Sequence, residues 1–239
     1  MTVLSVSDIS LRFGGLPAVN GVSFSVMQSS VVGLIGPNGA GKTSVLNLVS
    51  GFYRPGAGKI VLGDLEITGQ PAHRIAQHGI RRTFQNIKLF RHLTVFENVL
   101  TGCVAHGAVP MSEARRRAAE VLERMGLAAQ HRDLPGQLPY ASQRRVEIAR
   151  ALVGKPRLLL LDEPAAGMHA KERHDLVRLI KSLVGGGLAI LVIEHDIALI
   201  SEACDHVIAM NLGQIIAQGS MDEVRANEAV KTAYLGRRH

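Results

Sequence analysis

Residues 36–44 read GPNGAGKTS, and the reading of this stretch decides the fold. It follows the apolar stretch Val31, Val32, Gly33, Leu34, Ile35, which suits a buried parallel strand, and it opens the helix-like run TSVLNLVSG. A strand, a Gly-x-x-x-x-Gly-Lys-Thr loop and a helix in that order make a phosphate cradle. Gly36, Gly39 and Gly41 let the backbone curl between Pro37, Asn38 and Ala40 so that successive N–H groups point inward at phosphate oxygens. Lys42 is placed to reach the β- and γ-phosphates of a nucleotide. The Thr43 hydroxyl, with Ser44 beside it, is placed at the helix start to ligate Mg²⁺, and the positive end of the helix dipole lies beneath the phosphates.

Many activities use such a loop, so the rest of the chain must choose among them. The run Leu158, Leu159, Leu160, Leu161 ends in Asp162, Glu163, Pro164, which predicts a second buried strand delivering two carboxylates to the catalytic edge of a parallel sheet. Asp162 is placed to hold Mg²⁺ through its water shell. Glu163, one residue further and off the strand, is placed to act as the base toward an attacking water. A third strand, Ala189 to Ile193, ends in Glu194, His195, Asp196 and brings an imidazole to the same edge. Gln85 follows the short strand-like Arg82, Thr83, Phe84. Taken singly, a histidine at a strand end and a loop glutamine have bland readings; their company gives them meaning.

The ordered set of phosphate loop, Gln85, LPYASQRRVEIARAL, LLLLDEP and IEHD resembles the ATP-binding cassette of ABC transporters over essentially the whole chain. The resemblance implies an α/β P-loop NTPase fold of the RecA-like type, with a mostly parallel core, an antiparallel β-lobe and a helical subdomain. It implies one ABC-type ATP-binding domain over residues 1–239, with the helical subdomain at about 87–152 and a short C-terminal helix at about 220–235. It also implies roles: Gln85 contacts the metal and the attacking water and senses the membrane subunit, and His195 touches the γ-phosphate. Phe13, in SLRFGG, takes the position of the aromatic that stacks on adenine, a contact without hydrogen-bond readout. ATP and Mg²⁺ are the implied cofactors.

The strings RTFQNIKLF, TVFENV, RRVEIARAL, DEPAAGM and AYLG look like the cassettes that power branched-chain amino-acid importers. The implied partners are transmembrane permease subunits, a second cassette (a different chain or a second copy), and, indirectly, a periplasmic solute-binding protein. The implied location is peripheral, on the cytoplasmic face of the inner membrane. In that group the signature string usually reads LSYGQQ and aims a Ser hydroxyl and a Gly amide at the γ-phosphate held by the opposite subunit. Here it reads Leu138, Pro139, Tyr140, Ala141, Ser142, Gln143. Pro139 has neither hydroxyl nor N–H, and Ala141 adds a methyl where backbone must approach phosphate and resists a positive φ if one is needed. His169 stands where the family usually has Asp or Asn.

Composition sets the remaining bounds. The 239 residues suffice for one α/β core with attached lobes. No run of about 18 apolar residues is present, and the start MTVLSVSDIS lacks the basic and apolar regions of a secretory signal. Cys103 and Cys204 lie far apart, which fits a reduced compartment and no zinc site, and the ten histidines show no metal-ligand spacing. The net charge of +7 raises the question of nucleic acid, yet the basic runs at 115–117, 144–145 and 237–238 carry no interleaved aromatics. In SEARRRAAEVLERM, Ala114, Ala118, Val121, Leu122 and Met125 recur at helical spacing, so the arginines fall on a wet face and no nucleic-acid partner is expected. A soluble cassette acting on DNA or ribosomes would usually add a coiled coil or a second cassette, and neither is present.

Overall fold

A computed structural model describes residues 1–104 and 109–235; the predicted loop break at Gly107 and the pair Arg237, Arg238 lie outside these residues. The chain opens with a long hairpin, β1 (Thr2–Phe13) and β2 (Leu16–Met27), in which Val3, Leu4, Val6, Val22, Phe24 and Val26 are buried. Then come β3 (Val31–Ile35), the phosphate loop and α1 (Lys42–Val49), followed by β4 (Ala57–Leu62), β5 (Leu65–Glu66), α2 (Ala72–Gln77) and β6 (Ile80–Arg82). The helical segment holds α3 (Val95–Val104), α4 (Met111–Arg124) and α5 (Tyr140–Leu152). The core resumes with β7 (Leu158–Asp162), α6 (Ala170–Leu183), β8 (Ala189–Ile193), α7 (Ile197–Ala203), β9 (His206–Asn211) and β10 (Gln214–Gly219), and ends in α8 (Met221–Ala226) and α9 (Glu228–Leu235).

Two sheets result: β2-β1-β4-β5, antiparallel, and a six-stranded sheet in the order β10-β9-β3-β8-β7-β6. The second is parallel except for the edge strand β10. Every residue of β3, β7 and β8 is buried, as strands covered on both faces require. Alternation along these strands divides their side chains between two cores. Val31, Ile35, Leu159, Leu161, Ile190 and Val192 join helices α3 to α7, whereas Val32, Leu34, Leu158, Leu160, Leu191 and Ile193 join α1 and the β-lobe.

Residues 57–66 belong to the antiparallel lobe, where β4 pairs with β1. Two expectations are adjusted. The strand before Gln85 is Ile80–Arg82 rather than 82–84: Thr83 N–H still donates to Leu160 O at 2.9 Å and the chain then leaves the sheet. The single C-terminal helix is two, broken at Asn227, whose Oδ1 accepts from Ala229 N–H at 2.9 Å and caps the second. On α4 the buried positions are Ala114, Ala118 and Leu122, while Arg116 and Arg117 reach back to Glu113, so the solvated-face reading of the arginines holds.

Candidate active site

The ends of β3, β7 and β8 are neighbours in the sheet, and the chemistry sits just beyond them. After Ile35 the backbone turns at Gly36 with φ 151°, and a Cβ there would lie 2.3 Å from Met210 O. Gly41 has φ 99° and faces Ala18 O at 2.5 Å from a hypothetical Cβ. Both positions are closed to any side chain by conformation and by contact. Lys42, the first residue of α1, is buried and its Nζ donates to Gly36 O at 2.7 Å and Pro37 O at 3.1 Å, so the ammonium lies across the loop it serves. Asn38, Gly39 and Thr43 are exposed at the rim, and Ala40 is buried beneath it.

Glu163 follows β7 with φ 45°, a left-handed conformation that costs a non-glycine residue on the order of 1–3 kcal/mol and clusters at functional sites. Its N–H is tied to Ile193 O at 3.0 Å. Its carboxylate is held from both sides: Gln85 Nε2 donates to Oε2 at 2.8 Å, and His195 Nε2 lies 2.7 Å from Oε1. The three side chains singled out in separate parts of the sequence, from β6, β7 and β8, are thus in direct contact. On the β-lobe, Phe13 is 47 % exposed and meets Tyr53 edge-to-face at 5.3 Å, leaving an aromatic surface there.

Asp162 sits one residue back, buried at the end of β7, and its Oδ2 accepts from Arg82 at 2.8 Å. The sequence reading treated Arg82 only as part of a strand; a cation three residues before Gln85 was the signal available. Glu194 was likewise passed over. It is buried, its Oε1 accepts from Ala165 N–H at 2.7 Å and its Oε2 from His195 N–H at 3.2 Å. Burial pushes its carboxyl above the ordinary range, against the lowering by those two N–H groups. Arg144 is a third omission: fully buried on α5, it pairs with Glu147 at 2.7 Å and donates to Phe84 O at 2.6 Å and Gln85 O at 2.7 Å. The signature helix and the Gln85 loop are therefore fastened together.

The signature itself lies at the N-terminus of α5. Leu138 is buried, Pro139 is the N-cap residue with φ −55°, and Tyr140 and Ala141 form the first helical turn with Ser142 and Gln143. Ala141 is helical, so the structure asks for no positive φ there. What remains of the departure is the missing hydroxyl and N–H of Pro139 and the added methyl of Ala141. His169 is the N-cap residue of α6 and its N–H donates to Glu172 at 2.9 Å.

A phosphate loop, paired acids at a strand end and a parallel sheet define a P-loop nucleoside triphosphatase. Residues 19–166 match the ABC transporter family, and residues 214–239 match the branched-chain amino acid ATP-binding cassette transporter family. The chain is 44 % identical over 98 % of its length, and 98 % of the relative's, to the high-affinity branched-chain amino acid transport ATP-binding protein BraF of Pseudomonas aeruginosa. It is 43 % identical over the same shares to LivG of Escherichia coli, whose name describes the same function, and 35 % identical over 99 % of this chain and 98 % of that one to the lipopolysaccharide export system ATP-binding protein LptB of Haemophilus influenzae. Among solved structures, the ADP conformation of MJ1267, an ATP-binding cassette of an ABC transporter, superposes with a TM-score of 0.91 at 31 % identity, covering 99 % of this chain and all of that one. The chain belongs to the ABC transporter family: it is a nucleotide-binding ATPase subunit, homologous to the branched-chain amino-acid importer ATPases.

Proposed function

We propose that this chain hydrolyses ATP for an importer of branched-chain or related amino acids, working with a second cassette and two permease subunits on the cytoplasmic face of the membrane. The observation that carries the catalytic part is the Glu163 carboxylate held between Gln85 and His195. In this reading Glu163 takes a proton from the attacking water. Both oxygens of that carboxylate are occupied by Gln85 and His195, so one of the two must turn toward phosphate before a water can reach Glu163. Nucleotide binding and closure against the opposite cassette supply that exchange. Lys42 and the loop amides hold the phosphates, and Phe13 stacks on the adenine.

The residues fit Mg²⁺ that arrives with the nucleotide. Among the described residues no cluster of three or more His, Cys, Asp or Glu side chains could hold a metal alone, whereas Thr43 in the first turn of α1, Asp162 at the end of β7 and Gln85 after β6 carry single hard oxygens. That is the donor set of an ion held by one or two protein oxygens, water and phosphate. When bound, Mg²⁺ neutralises charge on the β- and γ-oxygens.

For the permease we propose the groove of about 550 Å³ lined by Arg82, Phe84, Lys88, Phe90 and Arg150. Among the apolar side chains of residues 89–96, Phe90 is 54 % exposed, while Leu89 and Phe96 pack on the core and Leu93 is partly buried. Phe90 is thus the anchor that a short permease helix would cover. No described helix is long and apolar enough to cross a membrane, in keeping with a peripheral subunit. ATP-dependent leucine uptake by proteoliposomes holding this chain, its partner cassette, the permeases and the binding protein tests the function. Uptake lost with Glu163→Gln supports the reading; uptake that persists, or that requires a different solute class, contradicts it.

A further inference from the structure

Arg82, the last residue of β6, has its side chain built into the molecule. Its side chain is 7 % exposed and that of Asp162 6 %. One end of the guanidinium fork donates to Asn47 Oδ1 on α1 at 2.6 Å and to Oγ of Ser50, the C-cap residue of α1, at 3.1 Å, and the other donates to Asp162 Oδ2 at 2.8 Å. The guanidinium carbon lies 5.7 Å from the centre of the Phe52 ring and 5.2 Å from that of Phe84, and the two rings meet edge-to-face. Three acceptors fix the plane of the fork, and the two rings flank it. Lysine, a point charge on a flexible stem, cannot reproduce this geometry.

A buried ion pair is costly to form and does not explain itself by stability, because well-packed apolar residues often serve as well. Here the acid is the one assigned to Mg²⁺, and the arginine engages one of its two oxygens. We infer that Arg82 is a positioning residue: it locks the Asp162 carboxylate against α1, so that the acid and the phosphate loop at the head of the same helix keep a fixed spacing for the Mg²⁺–nucleotide. The inference rests on the reading of Asp162 as the metal-holding carboxylate. Partners that orient a metal-holding group commonly change metal affinity by about 10–100-fold when removed.

The test is a MgCl₂ titration of trinitrophenyl-ATP binding by the full chain, followed by fluorescence, with thermal unfolding recorded for each variant. In Arg82→Lys and Arg82→Gln, affinity without Mg²⁺ should stay within about twofold of the parent, since Lys42 and the loop amides are untouched, while the Mg²⁺ concentration for half-maximal effect rises roughly tenfold or more. A merely structural staple would lower the unfolding temperature and leave that concentration unchanged, which overturns the inference. Should Arg82→Gln fail to fold, Arg82→Lys, which keeps the buried charge, decides alone. Asp162→Asn in the same titration separates the two claims. Loss of the Mg²⁺ effect there beside unchanged Arg82 variants overturns the role of Arg82 and keeps the site; an unchanged Asp162→Asn overturns the site assignment, and the inference with it.

Discussion

In the proposed function, the site at the ends of β3, β7 and β8 and the signature at the head of α5 each supply one half of an ATP site completed by the partner cassette, and they differ in how they are held. In the first, backbone and side chains are over-determined. Gly36 and Gly41 admit no Cβ, Glu163 keeps a costly φ, and its carboxylate has a donor on each oxygen. In the second, Pro139 and Ala141 sit in ordinary helix-start geometry that many residues adopt. In the proposed reading, this chain retains a complete catalytic half and lends its partner a half altered at Pro139 and Ala141.

Glu163→Gln gives the largest effect expected of that comparison. Hydrolysis by the assembled transporter should fall by roughly 10²–10⁴, the range of a positioned general base, while ATP affinity is kept because the cradle is intact. A phosphate-release assay checks the first part and nucleotide titration the second. Lys42→Ala comes next: losing charge-assisted bonds of about 1.5–3 kcal/mol should weaken ATP binding by roughly tenfold to more than a hundredfold, measured by the same titration.

How far these halves were legible follows from the kind of signal each gives. Consecutive residues such as GPNGAGKTS and LLLLDE fix strand, loop and carboxylate by local chemistry, and the positions of Lys42, Asp162 and Glu163 follow directly. Gln85 and His195 needed the motif order, because only the sheet order β3-β8-β7-β6 places their strands on either side of β7, which carries Glu163 at its end. Arg82, Glu194 and Arg144 were missed because each acts through a buried contact with a residue far along the chain, which no local period records. The break at Asn227 was missed since α8 and α9 share one apolar pattern, and only the side-chain cap separates them.

The signature half is probed by reversal. Pro139→Ser with Ala141→Gly should raise phosphate release by the chain assembled with itself by roughly tenfold, the worth of one charge-assisted hydrogen bond. A fast parent that gains nothing would make the altered signature silent. The smallest effect concerns Glu194. Its folded-state pKa is raised, so the folded protein holds the proton more tightly than the unfolded chain, and the contribution is present below the unfolded value and lost as pH rises through the folded one. Glu194→Gln should therefore flatten the fall in stability on raising the pH above the ordinary glutamate range, followed by denaturant unfolding at several pH values; an unchanged slope would remove Glu194 as its source.

The central claim is the inequality of the two halves, and the direct measurement is amino-acid uptake by the complete transporter with one catalytic glutamate replaced at a time. With a partner cassette that carries an intact signature, Glu163→Gln in this chain should reduce uptake by about a hundredfold or more, since it disables the complete site, while the equivalent change in the partner cassette should leave a substantial share. Equal losses from the two substitutions, or the larger loss from the partner's, would contradict the account.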